Sequence, residues 1–136
     1  MIKDMGATAF ANVFAANTPL QTIELGDNEV GNRGAKAIAA SLGSNTHLKA
    51  LYLDDNDIAD EGCVAIANVL AEYANSSGIE TLGLGNNKIK AKGAAAVIEM
   101  LKVNKRIVAL DIGANSVSYA DVEAIRLAVS ANKNQA

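Results

Sequence analysis

An α/β solenoid is the fold this sequence predicts, with about four short parallel strands on one face and about five helices on the other. Three observations carry that expectation. The pattern LxxLxLxxNxIxxxGxxAIxxxL recurs four times, in register on Asn28, Asn56, Asn87 and Asn115, at intervals of 28, 31 and 28 residues. Within each copy the apolar spacing changes from every second residue to every third or fourth, the signature of a strand followed by a helix. Finally, 26 of the 136 residues are Ala and only 4% are aromatic, which suits helices stacked side by side better than one bulky core. Neither the strand nor the helix of one copy can bury its apolar face alone, so neighbouring copies must stack.

The chain reads as a single domain over residues 1–136. Residues 1–19 form a half-repeat, and full repeats start at Leu20, Leu48, Ile79 and Ile107. In the half-repeat, Gly6, Phe10, Phe14 and Asn17 fall at the spacing of Gly34, Ile38, Leu42 and Asn45, so its helical half is present and its strand half is not. The strands of the full copies place Ile23 and Leu25, Leu51 and Leu53, Leu82 and Leu84, and Leu110 and Ile112 on the buried face. Helices of about three turns follow, with Ala37, Ile38 and Leu42 as the stripe in the first copy and Ala65, Ile66 and Leu70 in the second. The long interval comes from three extra residues after Leu70, in AEYANSSG. A second Asn series, Asn45, Asn75, Asn104 and Asn132, lies where helices end and suggests left-handed C-caps. Gly34, Gly62 and Gly93 allow close backbone approach near helix starts. The fourth copy has Asp121 there instead, and Ser118 to Asp121 reads as a capping box.

Composition excludes several classes. One Cys rules out a disulfide framework, and one His with one Cys gives no zinc cluster and no Cys–His pair at ligand-like spacing. Fifteen acidic against twelve basic residues give no pull toward nucleic acid or membrane. No apolar run reaches the roughly 18–20 residues of a membrane span, and the N-terminus lacks the plan of a secretory signal. A soluble, cytoplasmic protein in a reducing compartment is expected.

The repeat resembles the leucine-rich repeat, and its length, late Gly and Ala-Ile pair resemble the ribonuclease-inhibitor subtype. That subtype also occurs in Ran GTPase-activating proteins, nucleotide-binding receptors and tropomodulin-type actin caps. The resemblance spans essentially the whole chain. It implies a horseshoe arc with a concave sheet that binds another protein, without naming which. It also implies a structural Asn ladder at Asn28, Asn56, Asn87 and Asn115, each amide satisfying backbone groups of the turn that leaves the strand.

No catalytic signature appears, and neither cofactor nor metal is expected. Cys63 takes a position held by Ala35 and Ala94, so it reads as a small packing residue. Asp54-Asp55-Asn56-Asp57 begins like a calcium loop, but Ile58 falls where the next ligand belongs. Gly83-Leu-Gly85 lacks the third Gly of a dinucleotide fingerprint. The residues that the repeat leaves free are better candidates. Thr22 and Glu24, Ala50 and Tyr52, Thr81 and Gly83, and Ala109 and Asp111 point to the concave side. With the turns they gather Glu24, Asp27, Glu29, Asp54, Asp55 and Asp57 around an exposed Tyr52, with Asp111 further along, a surface suited to a basic protein partner. The plainer reading is that these acids keep the sheet rim soluble.

The leading expectation is a non-enzymatic interaction module. One alternative is a regulatory arm that stimulates a nucleotide hydrolase, for which Arg33 or Lys88 are the side chains at hand. Another is a fragment or assembly unit that self-associates through exposed solenoid ends.

Overall fold

The computed structural model describes residues 1–16 and 18–135. Asn17, which aligns with Asn45 in the repeat, lies outside the described residues. Helix α1 (Lys3–Ala15) comes first. Four strand–helix pairs follow: β1 (Thr22–Glu24) with α2 (Asn32–Leu42), β2 (Ala50–Tyr52) with α3 (Asp60–Glu72), β3 (Thr81–Gly83) with α4 (Ala91–Val103), and β4 (Ala109–Asp111) with α5 (Tyr119–Gln135). The strands form one parallel sheet in sequence order. Its rungs are Ile23–Leu51–Leu82–Leu110 and Glu24–Tyr52–Gly83–Asp111. The first rung faces the helices and the second faces away, because side chains alternate along a strand. Helices pack at about 10 Å and strands at about 4.8 Å, so a layer of each must curve with the sheet inside.

Burial follows the repeat. Leu51, Leu53, Ile58, Ile66 and Leu70 of the second full copy are fully enclosed, as are most of their counterparts in the neighbouring copies. Small residues mark where helices touch. A Cβ added to Gly62 would come within 2.9 Å of the Ala35 Cβ, and one added to Gly93 within 3.2 Å of the Cys63 Cβ.

Two sets of buried polar bonds tie the copies together. The Asn56 Oδ1 accepts from the amides of Asn28 and Val30, at 3.0 and 2.9 Å, and its Nδ2 donates to the Leu25 and Leu53 carbonyls, at 2.9 and 3.0 Å. One side chain thus joins two turns and two strand ends. Asn87 donates to Leu53 and Leu84 and accepts from Ile58, while Asn115 donates to Leu84 and Ile112 and accepts from Asn87 and Ile89. Asn28 accepts from Ile2 and donates to its own turn at Gly26.

The second set is a relay of helix caps. The residues preceding α2, α3 and α4 are Gly31, Ala59 and Lys90, and none offers a side-chain cap. The cap comes from the neighbouring helix. Asp4 Oδ1 accepts from the amides of Gly31 and Gly34 at 2.6 and 3.0 Å, Asn32 Oδ1 from Ala59 and Gly62 at 2.9 Å each, and Asp60 Oδ1 from Lys90 and Gly93 at 2.7 and 2.9 Å. Each oxygen satisfies two of the amides left unpaired at a helix start. The late glycines are explained by it: a Cβ at Gly34, Gly62 or Gly93 would lie 2.7–2.9 Å from that capping oxygen. The relay stops at α4, whose first residue, Ala91, has no acceptor. The next copy correspondingly carries Asp121 in place of Gly, and α5 is capped locally by the Ser118 hydroxyl, which accepts from the Asp121 amide at 3.2 Å.

The second Asn series departs from left-handed C-caps. Among the described residues, positive φ occurs at Lys3, Asp27, Glu29, Asp55, Asn86 and Ala114, and at none of Asn45, Asn75, Asn104 or Asn132. Asn45, Asn104 and Asn132 are instead buried bridges. Asn104 donates to the Leu70 carbonyl at 2.9 Å and accepts from the Arg106 and Ile107 amides. Asn75 does not take part in this series. The three-residue insertion displaces it to the surface, and buried Ser77 accepts from the Ile79 amide in its stead. The same insertion lays the Tyr73 ring over Gly43, where a Cβ would collide with it at 2.7 Å.

Candidate functional site

The concave face is built by the outward residues of four consecutive strands. Thr22, Ala50, Thr81 and Ala109 make one row, and Glu24, Tyr52, Gly83 and Asp111 make the next. Small residues on β3 and β4 leave a hollow of about 600 Å³ bounded by Tyr52, Asp54, Thr81, Gly83, Ala109 and Asp111. Val129 of α5 also reaches this hollow, a contribution that strand periodicity could not reveal.

Two carboxylates lie across β3 because it carries glycines. Asp54 folds onto Gly83, where any Cβ would collide with it, and its Oδ1 accepts from the Gly85 amide at 2.8 Å. From the other side the Asp111 Oδ2 would stand 2.9 Å from a Cβ at Gly85, and its Oδ1 accepts from Gly113 at 2.8 Å. The hollow is thus flanked by fixed negative charge with one aromatic wall. Tyr52 is half-buried rather than exposed, since it sits mid-sheet between the β1 and β3 rows.

The acidic residues do not form one ring around Tyr52. Glu24, Asp54 and Asp111 share its concave face. Asp27 and Asp55 sit at the turn tips, in left-handed conformations with φ of 56° and 58°, and Asn86 and Ala114 repeat that geometry at 50° and 54°. Asp55 accepts from the Asn86 side chain at 2.7 Å. These tips border a second, shallow hollow of about 550 Å³ that also includes Asp57 and Lys88. Glu29 and Asp57 turn along the stack and pair with lysines, Glu29 with Lys3 at 3.5 Å and Asp57 with Lys88 at 3.2 Å.

Elsewhere the chemistry is quiet. Cys63 is buried, and burial followed by the charge of Asp60 pushes its thiol up to about 12. Its Sγ donates to the Gly93 carbonyl at 3.6 Å. Among the described residues no group of three or more His, Cys, Asp or Glu is placed to hold a metal ion. Among the described residues no helix is long and apolar enough to cross a membrane. Arg33 lies on the outer side of α2 beside α1, away from the concave face. The capping relay of Asp4, Asn32 and Asp60 is legible in the sequence only as an Asp or Asn two residues before Gly6, Gly34 and Gly62, lost at Ala91 before Gly93. That signal goes unused when each Gly is read alone.

The family described as Leucine Rich repeat matches residues 16–39 and 44–67. No curated protein matches the chain in sequence. The solved structure of Leiomodin-1 Actin-Binding Site 2 superposes with a TM-score of 0.79 at 20% identity, covering 97% of this chain and 75% of that one. The tropomodulin C-terminal domain of Caenorhabditis elegans superposes with a TM-score of 0.59 at 11% identity, covering 95% and 94% of the two chains.

Proposed function

Because the chain is a leucine-rich-repeat protein by its repeat and its fold, we propose that it is a non-enzymatic interaction module whose concave sheet and adjoining turns bind a protein partner. The observation that carries this reading is the hollow between Tyr52 and Asp111, an open surface flanked by the carboxylates of Asp54 and Asp111. A half-buried aromatic held by its neighbours loses little side-chain freedom on binding, and flanking charge selects a basic partner surface. The similar leiomodin structure is of an actin-binding site, which makes actin the first partner to test.

The variant must spare the bonds that hold the turns. Asp54 is unsuitable for charge reversal because it accepts from the Gly85 amide. Glu24 and Tyr52 are adjacent on one rung, and among the described residues neither side chain makes an ion pair that would be lost. A Glu24→Lys, Tyr52→Ala double variant is therefore expected to keep its melting profile. It should weaken binding to actin, measured by anisotropy of labelled actin monomer and by sedimentation with filaments, by about tenfold or more, about 1.4 kcal/mol. Undiminished binding by that variant would remove the concave face as the site, and no binding by the parent would remove actin as the partner.

A further inference from the structure

The two rims of the sheet carry opposite charge. Where the strands end, the shallow hollow at the turn tips is lined by Asp27, Asp55 and Asp57 with one cation, Lys88. Where the helices end and the strands begin, a hollow of about 340 Å³ reverses that balance, with Lys49, Lys105 and Arg106 around one carboxylate, Glu80. Its place follows from the repeat. Gly78 stands just before Ile79, where the copies on either side have His47 and Arg106. A Cβ there would come within 2.9 and 3.1 Å of the Thr46 and Leu48 carbonyls, so the position carries no side chain and the hollow opens. Lys49 Nζ lies over it, 3.5 Å from where that Cβ would be. On the other side Arg106 is tethered, its Nη2 donating at 3.0 Å to the carbonyl of Asn75, in the loop lengthened by the insertion after Leu70. Lys105 Nζ donates to the Leu101 carbonyl at 3.3 Å, as suits a cation at a helix C-terminus. Lys3, Lys36, Lys88, Lys102 and Arg126 all pair with carboxylates, but among the described residues Lys49, Lys105, Arg106 and Glu80 make no ion pair. That holds although Lys49 and Glu80 are neighbours, the Glu80 amide donating to the Lys49 carbonyl at 2.8 Å.

We propose that this basic hollow is a second binding site, which takes carboxylate side chains from a short acidic segment of a partner polypeptide. Three cations around one carboxylate select an anion. The tethered Arg106 guanidinium offers a planar fork of donors that fits a carboxylate, and Lys49 supplies a second charge from the facing wall. Two features select a polypeptide over a nucleic acid. Glu80 would lose its water beneath an occupant and would then require a donor; a peptide backbone brings N–H groups, whereas a phosphodiester backbone brings none. Three residues further along β3 and β4, about 10 Å away, stand Asp111 and the Asp54 carboxylate over Gly83. A chain of evenly spaced phosphates would run onto that negative charge, so the occupant's acids are few and local. The site is lined by different residues from the hollow at Tyr52, and it does not rest on the concave-face reading.

The probe is a labelled peptide of three consecutive Glu flanked by Ser and Gly, titrated with the intact protein and read by anisotropy. Salt is kept at about 0.01 M, where surface charges are screened least. Saturable binding is expected. The same peptide with three Gln, and labelled tetrathymidylate with its charge carried on phosphodiesters, should each bind about tenfold more weakly. In the protein, Lys49→Gln with Arg106→Gln changes two exposed side chains, so its melt should be unchanged while affinity falls about tenfold. Lys90→Gln with Lys92→Gln removes equal charge at the start of α4 and should alter affinity by less than about twofold. Glu80→Gln keeps an acceptor, removes the repelling charge and should tighten binding by about threefold. Tyr52→Ala should leave peptide binding unchanged, which separates failure here from failure of the concave site. The proposal is overturned by no saturable binding up to about 1 mM, by equal binding of the Gln peptide, or by equal losses in the two double variants. Binding of tetrathymidylate as tight as that of the Glu peptide would also overturn it, in favour of a nucleic acid.

Discussion

Replacing Asp60 by Ala tests the capping relay, because Asp60 is the acceptor for the first turn of a helix other than its own. Its Oδ1 takes the Lys90 and Gly93 amides at 2.7 and 2.9 Å. Losing a side-chain cap costs about 1 kcal/mol, and losing a carboxylate at the positive end of a helix costs a further 0.3–1 kcal/mol, roughly. The sum is about 1.5–2 kcal/mol. Unfolding entropy of about 2.1 cal/mol/K per residue gives about 0.29 kcal/mol/K for 136 residues. The melting temperature should therefore drop by about 5–7 °C in a scan followed by circular dichroism. Asp60→Asn keeps the oxygen, as Asn32 does in the copy before, and should lose less than about half as much. Amide exchange supplies the local readout: Lys90 and Gly93 should lose protection in Asp60→Ala while the start of α3 keeps its own. Equal melts for parent and Ala variant, or equal losses for Asn and Ala, would refute the relay. The converse change extends it. Ala91→Asp with Asp121→Gly recreates the missing step and should stabilise by about 1 kcal/mol, whereas Ala91→Asp alone should not, because the side chain at position 121 fills the space the carboxylate needs.

Three further outcomes follow from single residues. Asn56→Ala strands the amides of Asn28 and Val30 and the Leu25 carbonyl, and should cost about 2–4 kcal/mol in urea unfolding. Ala114 holds a φ of 54° where the other copies have Asp, Asp and Asn. Ala114→Gly should therefore raise the melting temperature, by an amount reflecting about 0.5–1 kcal/mol. Cys63, with its thiol pushed up to about 12 by burial and by Asp60, should resist a thiol-reactive disulfide reagent at pH 8 in the folded protein and react fully in denaturant.

Most of the fold is legible in the sequence because a solenoid repeats its instructions. Four copies of the same alternation place Ile23, Leu51, Leu82 and Leu110 in one rung, and the parallel register is the one their alignment implies. What single-residue reading could not reach lies between copies. Each late Gly looks like a local convenience, but its reason is an oxygen from the previous helix, 30 to 33 residues earlier in the chain. Asn75 aligns well as a letter and fails as a bridge, because three inserted residues shift the backbone and leave Ser77 to accept from the Ile79 amide. The candidate site is legible in the sequence as a face. Strand alternation places Glu24, Tyr52 and Asp111 in one row, whereas the turn residues Asp27, Asp55 and Asp57 border a different hollow from Tyr52.

The central claim, that recognition belongs to the concave sheet, is tested most directly by hydrogen exchange on the intact protein with and without excess actin monomer. Protection gained at β2, β3 and β4 and at the turns of Asp54 and Asp55, with the outer helices unchanged, is the expected result. Protection confined to the convex surfaces of α2, α3 and α4 would contradict it.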